Sequence, residues 1–253
     1  MAKLPDDPSL RDLGIAWISI SGMRKALHRP LEQRFQAPVR ELYGLTETGS
    51  TLFMPIDAEH MSGSGACGIP APYRECRIVD VSGQSVRPGE SGELWVRGRS
   101  ILREYYGNPE ANAAAFAGDW FRTGDVFTVD AQGFHTIQGR IKDSIRRSGE
   151  NIAAREVEEV VAGLPGILEC AAVGVPDDLR GQEVKLCVVL QPGQNRDSVS
   201  PQTIVAHCAD KLAAFKVPRY IAYYEAFPRT SSGKIAKQDM MVSGPDVYDR
   251  SVR

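Results

Sequence analysis

Residues 126–164, VFTVDAQGFHTIQGRIKDSIRRSGENIAAREVEEVVAGL, contain the change of pattern that divides this chain. In VFTVDAQGFHTIQ (126–138) apolar and polar residues alternate on either side of Asp130–Gly133, which reads as a β-hairpin closed by a polar turn. From 153 to 163 the repeat lengthens, and Val157, Val160, Val161 and Leu164 fall on one stripe of a helix. Between the two, GRIKDSIRRSGENI (139–152) carries Arg140, Lys142, Asp143, Arg146, Arg147 and Glu150 and reads as a connector without an obvious core face. The spacing therefore predicts antiparallel β-structure before the connector and a small α+β domain after it.

Working upstream, CRIVDV (76–81) and GELWVRG (92–98) read as short strands around the Pro88-Gly89 turn. Asn108-Pro109 supplies a side-chain cap and a first-turn proline for an Ala-rich helix. GIAWISISG (14–22) is an apolar run bounded by glycines, expected as a buried strand. Leu27, Leu31 and Phe35 recur at spacing four and predict a helix over 24–36, and Pro38 resets the chain before a strand at VRELYG (39–44). Residues 55–75 are rich in Gly, Pro and Ser and read as loop. Downstream, CAAVGV (170–175), VKLCVVL (184–190) and RYIAYYEAF (219–227) read as strands. Ser200-Pro201 caps a helix that buries Ile204, Val205, Cys208, Leu212 and Phe215. A polar tail after Asp239 is expected to be disordered.

The composition limits the function classes. The chain has 253 residues, with 42% hydrophobic and 25% charged residues, within the range of globular proteins. Lys plus Arg is 30 against 32 for Asp plus Glu, giving −2, so no general basic footprint for nucleic acid and no polybasic membrane anchor is expected. No run has the length of a membrane span, and MAKLPDDPSLRD is too polar for a signal peptide. The cysteines, Cys67, Cys76, Cys170, Cys187 and Cys208, form no CxxC pair and lie near no His cluster. They read as buried reduced thiols, which together with the absence of an N-x-[ST] site points to a cytoplasmic protein.

Five segments carry candidate chemistry. GSGACG (63–68) matches GxGxxG literally, but Ile69-Pro70-Ala71-Pro72 follows, and a dinucleotide fingerprint must open a helix. YGLTETG (43–49) presents an aromatic face, two hydroxyls and a carboxylate, the parts needed to stack a base, hold a phosphate and position Mg²⁺. It reads equally as a polar strand-to-helix turn capped by Thr46. In FRTGDVF (121–127) Asp125 has the chemistry to accept two sugar hydroxyls, or to close a turn on its own backbone. The 139–152 connector and PRTSSGKIAK (228–237), a loop presenting Lys234 behind Ser-Ser-Gly, read alone as a solvated linker and a surface charge.

Taken in order, YGLTETG, GELWVRG, WFRTGD, GRIKDSIRRSGENI and PRTSSGKIAK resemble the motif series of the adenylate-forming (AMP-binding) superfamily, and within it an acyl-CoA synthetase. The connector's wording is most similar to the branch containing crotonobetaine/carnitine-CoA ligases. The resemblance implies ATP, Mg²⁺ and CoA as cofactors or substrates and a small-molecule carboxylic acid, such as a fatty acid, as the group activated. It implies that Tyr43 stacks on adenine, Thr46 contacts the adenylate phosphate, Glu47 reaches Mg²⁺, and Asp125 and Arg140 hold the ribose. It further implies a hinge at Lys142, a pantetheine tunnel lined by Ser148 and Gly149, and a catalytic Lys234 bridging acid and α-phosphate.

The fold class so implied is α/β plus α+β. Residues 1–141 would be the C-terminal part of a large domain: the end of an α/β subdomain and a small antiparallel β-barrel-like subdomain. Residues 142–240 would be a mobile α+β lid and 241–253 a disordered tail. Relatives of the family are about twice this long, so the chain is expected to be a C-terminal portion that meets a missing N-terminal half or self-associates. Where many relatives have two adjacent glycines, this chain has Ser148-Gly149. Two further readings remain at this point: an adenylation module loading a carrier protein, and a non-catalytic chain that binds nucleotide or docks to a partner.

Overall fold

The computed structural model describes residues 7–23, 25–231, 233–240 and 247–251. The chain divides into two compact units, Met1–Gln138 and Gly139–Arg253. The strands of the first are β1 (Ile18–Ile20), β2 (Val39–Leu45), β3 (Gly49–Phe53), β4 (Ala66–Pro70), β5 (Arg74–Val79), β6 (Gly92–Gly98), β7 (Phe116–Ala117), β8 (Trp120–Val129) and β9 (His135–Arg140). Two helices join them, α1 (His28–Phe35) and α2 (Pro109–Ala115). The sheet runs β1-β2-β3-β4-β9-β8-β6-β5, with β7 against β8. The β1–β2 pair is parallel, whereas β2–β3, β3–β4, β4–β9, β6–β8 and β5–β6 are antiparallel.

Several local signals have their expected physical effect. Asn108 accepts a hydrogen bond from the Ala111 amide at 3.0 Å and starts α2 with Pro109 in its first turn. Asp130 closes the β8–β9 hairpin, its backbone bonding Phe134 and its carboxylate the amides of Gln132 and Phe134. Other readings change. The path of the sheet ends at β1 and β5, so it is open rather than barrel-like among the described residues. GIAWISISG yields only the short edge strand β1, and Trp17 beside it is half exposed. The Gly-rich stretch after residue 63 is not all loop, because Ala66–Pro70 pairs with both β3 and β9. No helix follows it, as the two prolines require.

The second unit contains β10 (Ser144–Arg147), β11 (Glu150–Ala153), β12 (Ile167–Asp177), β13 (Gly181–Leu190), β14 (Tyr220–Tyr224) and β15 (Tyr248–Asp249), with helices α3 (Ala154–Ala162) and α4 (Pro201–Lys211). Its sheet runs β11-β10-β13-β14-β15, with β12 antiparallel to β13. Strand β13 is buried on both faces, which explains its near-continuous apolar run. Val184, Leu186 and Val188 pack with Val157, Val161, Ile204 and Cys208 of the helices. Cys187 and Val189 point the other way, toward Ala171, Val173, Phe227 and Met240.

The connector is where the sequence reading and the structure differ most. Residues 144–153 form the β10–β11 hairpin, and its cross-strand pair Ile145–Ile152 is fully buried. The connector therefore has a core face of one residue per strand. Tyr248–Asp249, within the tail expected to be disordered, pairs with β14, and the remainder of that tail, 241–246 and 252–253, lies outside the described residues. Cys67, Cys187 and Cys208 are buried, and Cys76 and Cys170 half-buried, and none of the five is joined in a disulfide. Desolvation pushes the Cys76 thiol up to about 12 and the Cys208 thiol to about 11. Among the described residues no helix is long and apolar enough to cross a membrane.

Candidate active site

In the first unit YGLTETG forms the end of β2, a three-residue turn and the start of β3. It is a strand-to-strand turn, so Thr46 caps no helix. Gly44 is required there, because a Cβ at that position would collide with the carbonyl oxygen of Gly49. The turn is pinned from beneath by Thr48, which is fully buried. Its Oγ1 accepts from the Leu45 amide at 3.2 Å and from Thr51 Oγ1 at 2.7 Å. That leaves the Thr46 side chain exposed and Glu47 half-buried at the rim. Glu47 Oε1 accepts a 3.0 Å hydrogen bond from Tyr105 Oη. Burial first, and then this bond, push the Tyr105 phenol above its ordinary value.

Tyr43 lies one strand residue before Gly44, buried, with its ring edge-on to Phe127 at 4.8 Å. Its hydroxyl donates to Asp125 Oδ2 at 2.6 Å, joining two segments 82 residues apart in the chain. Asp125 is 2% exposed and sits in a β8 segment bent by Gly124 at φ 69°. Thr123 Oγ1 accepts from the Asp125 amide at 3.1 Å and donates to the Leu94 carbonyl at 2.7 Å. Glu93 accepts from the Gly124 amide at 3.1 Å. Tyr43, Glu47 and Asp125 are thus held by neighbours rather than left mobile. Tyr105, Thr123 and Glu93 were not singled out from the sequence, although Thr123 lies within the RTGD motif itself.

The remaining candidates belong to the second unit. Arg140 ends β9 in an extended conformation, so it falls in a different unit from Asp125. Lys142 is exposed within the 3₁₀ turn Ile141–Asp143, between β9 and β10. Ser148 and Gly149 are the two central residues of the β10–β11 hairpin, at φ 50° and 86°. Positive φ at both positions is the type I′ geometry that matches strand twist, favoured by glycine and costly for serine. The flanking Arg147 is buried, its guanidinium bonded to Glu183 at 2.7 and 3.1 Å, and the Ser148 amide donates to the Arg180 carbonyl at 2.8 Å.

Lys234 occupies a closed turn. Arg229 and Ile235 form a β-bridge, and the Thr230 amide donates to the Lys234 carbonyl at 2.8 Å. The Gly233 amide donates to the Thr230 carbonyl at 2.8 Å, and the Lys234 amide to Thr230 Oγ1 at 3.2 Å. The Lys234 side chain projects into solvent. Ser232, part of the Ser-Ser-Gly read as a small hinge, lies outside the described residues.

Comparison with known proteins gives a consistent answer. Residues 3–106 match the family model described as AMP-binding enzyme, and residues 156–234 match that described as AMP-binding enzyme C-terminal domain. A long-chain-fatty-acid–CoA ligase of Yersinia pestis is 35% identical over 233 residues, covering 90% of this chain and 40% of the relative. A fatty acid–[acyl-carrier-protein] ligase of Streptomyces coeruleorubidus is 36% identical over 203 residues, covering 79% and 38%. The structure of o-succinylbenzoate CoA synthetase from Bacillus subtilis, in complex with its acyl-adenylate intermediate, superposes with a TM-score of 0.80 at 27% identity, covering 91% of this chain and 46% of that one. The chain thus spans about 40% of the length of the curated relatives it matches. With both family models matched in order along one mixed α/β chain, it belongs to the adenylate-forming family of AMP-binding enzymes.

Proposed function

We propose that this chain contributes the nucleotide end and the lid of an acid–thiol ligase that activates a carboxylic acid with ATP and transfers the acyl group to CoA. The observation that carries this reading is the buried Tyr43–Asp125 hydrogen bond at 2.6 Å, which unites the first and third motifs into one prepared surface. In this reading Tyr43 stands against adenine and Asp125 accepts the ribose hydroxyls, with Arg140 as second ribose contact. The exposed Thr46 hydroxyl donates to the α-phosphate. Residues 142–240 act as the lid, which turns about Lys142.

The donor set fits a hard cation. Mg²⁺ needs one or two carboxylates beside substrate phosphates, and Glu47 offers a half-buried carboxylate at the turn rim whose Oε1 accepts from Tyr105. When bound, Mg²⁺ would supply electrostatic stabilisation of the phosphate oxygens. The chain's own chemistry concerns charge and access. A carboxylate oxygen of the acid attacks the α-phosphorus, the bond to pyrophosphate breaks, and negative charge accumulates where the Lys234 ammonium is presented. In the second step the CoA thiolate attacks the acyl carbonyl and AMP leaves, with Ser148 and Gly149 lining the approach. Lys234 is needed only in the first step.

The test is acid-dependent ATP–pyrophosphate exchange over a panel of carboxylic acids. Lys234→Ala is expected to lower exchange by about 100-fold or more, corresponding to about 2.7–4 kcal/mol of activation free energy. Lys142→Pro, which stiffens the 3₁₀ turn, is expected to spare exchange and slow thioester formation. Exchange that survives Lys234→Ala would overturn the assignment. A second reading, transfer to a carrier protein instead of CoA, is favoured by the carrier-protein ligase among the relatives. Competition between CoA and a carrier protein for one preformed acyl-adenylate separates the two.

A further inference from the structure

An exposed lysine on a surface turn is ordinarily a poorly ordered charge, because its four-carbon stem and its backbone both move. The turn carrying Lys234 is built differently. Arg229, on the arm opposite Lys234, places one guanidinium nitrogen, Nη2, on both carboxylate oxygens of Glu169, at 2.7 and 2.9 Å. The other, Nη1, donates to the carbonyl oxygen of Gly233 at 3.1 Å. That carbonyl belongs to the peptide group leading into Lys234. Glu169 lies on β12, the long strand paired with β13 along most of its length. One planar group therefore spans from the sheet to the backbone unit that carries the lysine, a geometry that a guanidinium fork achieves and a single ammonium does not.

The outgoing arm is tied down as well. Lys237 pairs with Glu158 of α3 at 2.7 Å, and Glu158 also accepts from the Ala172 amide of β12 at 2.8 Å. Beyond it, buried Lys185 donates to the Met240 carbonyl at 2.9 Å. These contacts fix where the arm ends, whereas the Gly233–Lys234 peptide itself is held inside the turn by Thr230 Oγ1, which accepts from its amide, and is tied to β12 by Arg229, which donates to its carbonyl.

We propose that Arg229, anchored by Glu169, is the positioning residue for Lys234: it holds the peptide preceding the lysine against β12, so that the ammonium is presented from a fixed backbone. The consequence for catalysis rests on the acid-activation reading above, whereas the positioning itself does not. Arg229 and Glu169 are substantially solvent-exposed, so their pair contributes little to overall stability. The variants should fold, and the effect should appear locally.

The experiment is backbone ¹⁵N relaxation on the 253-residue chain and its variants. In the parent chain the Lys234 and Gly233 amides are expected near the rigid-backbone order parameter of about 0.85, falling below about 0.6 in both Arg229→Ala and Glu169→Gln. Ala172 and Val173 on β12 should be unchanged in the same spectra. Arg229→Lys should restore order only in part, since an ammonium on Glu169 does not also reach the Gly233 carbonyl. Unchanged order at Lys234 in either single variant would overturn the proposal, as would an equal loss of order at β12. Because the order parameters decide it whether or not the chain activates an acid, failure here and failure of the catalytic reading remain distinguishable.

Discussion

In the second unit a single strand, β13, lies between two cores, while in the first the buried apolar residues divide among three clusters. The larger second-unit core gathers residues from β10 through β14 together with both helices, so each member rests on several elements. The first-unit clusters centre on Leu94 and Phe127, on Leu31 and Phe35, and on Met54. Around them Leu13, Trp17, Ile56, Tyr73 and Tyr106 remain exposed. The first unit thus relies more on hydrogen-bonded polar groups such as Tyr43–Asp125 and Thr48–Thr51, and the second on continuous packing. The candidate residues follow the same division. Tyr43, Glu47 and Asp125 of the first unit are held by polar neighbours, whereas Lys142, Ser148 and Lys234 stand on turns at the margin of a well-packed body.

Truncation of core leucines would sharpen this comparison most. Leu186→Ala in β13 is expected to cost about 2–5 kcal/mol toward the upper end, because two well-packed layers cannot collapse around the void. Leu94→Ala should lie toward the lower end. Trp17, Trp95 and Trp120 all belong to the first unit, so tryptophan emission follows its unfolding while far-UV circular dichroism follows both. Equal costs for the two substitutions in urea titrations would remove the distinction.

Next in size is Tyr43→Phe, which leaves a buried carboxylate without one of its donors. It should destabilise the first unit by about 1.5–3 kcal/mol, read from the tryptophan transition. ATP affinity should fall with it under the proposed function. Ser148→Gly should act in the opposite direction, stabilising the second unit by about 1 kcal/mol, since glycine meets no steric cost at φ 50°. A calorimetric scan that finds the serine form more stable would contradict the strain assigned to that hairpin.

The smallest effect concerns pH. Burial is the main reason that the His135 imidazole is held below its ordinary value, and its bonds to the Gly133 and Gly68 backbone oppose the shift only in part. At this imidazole the folded first unit therefore binds fewer protons than the unfolded chain. This contribution is complete above about pH 6.5 and is lost as pH falls through the lower folded value. The tryptophan-detected urea midpoint should decline from pH 7 toward pH 5, less steeply in His135→Gln.

Elements whose determinants are local were legible in the sequence. GELWVRG is β6 residue for residue, and Asn108-Pro109 and Ser200-Pro201 each cap the helix they announce. The hairpin at 144–153 was not legible, because its only core residues, Ile145 and Ile152, sit seven positions apart among charges. Their pairing becomes evident only once β13 lies alongside. Strand β4 was hidden by its glycine, which reads as loop until β3 and β9 flank it. For the site, motif order named the residue types, but the Tyr43–Asp125 contact and the Arg229 bridge are tertiary facts. Nothing in RTGD or PRTSSGK specifies the distant partner that each one meets.

The buried thiols have a practical consequence. Cys67, Cys187 and Cys208 are enclosed, burial raises the Cys76 thiol to about 12, and the half-buried Cys170 donates its Sγ–H to the Glu158 carbonyl. Thiolate, the form that attacks a maleimide, is therefore scarce at neutral pH in the folded chain. A cysteine introduced at Leu179, 94% exposed at the tip of the β12–β13 turn, would outpace the native five by a wide margin. The molecule already provides a quiet background for a single fluorophore placed on its second unit.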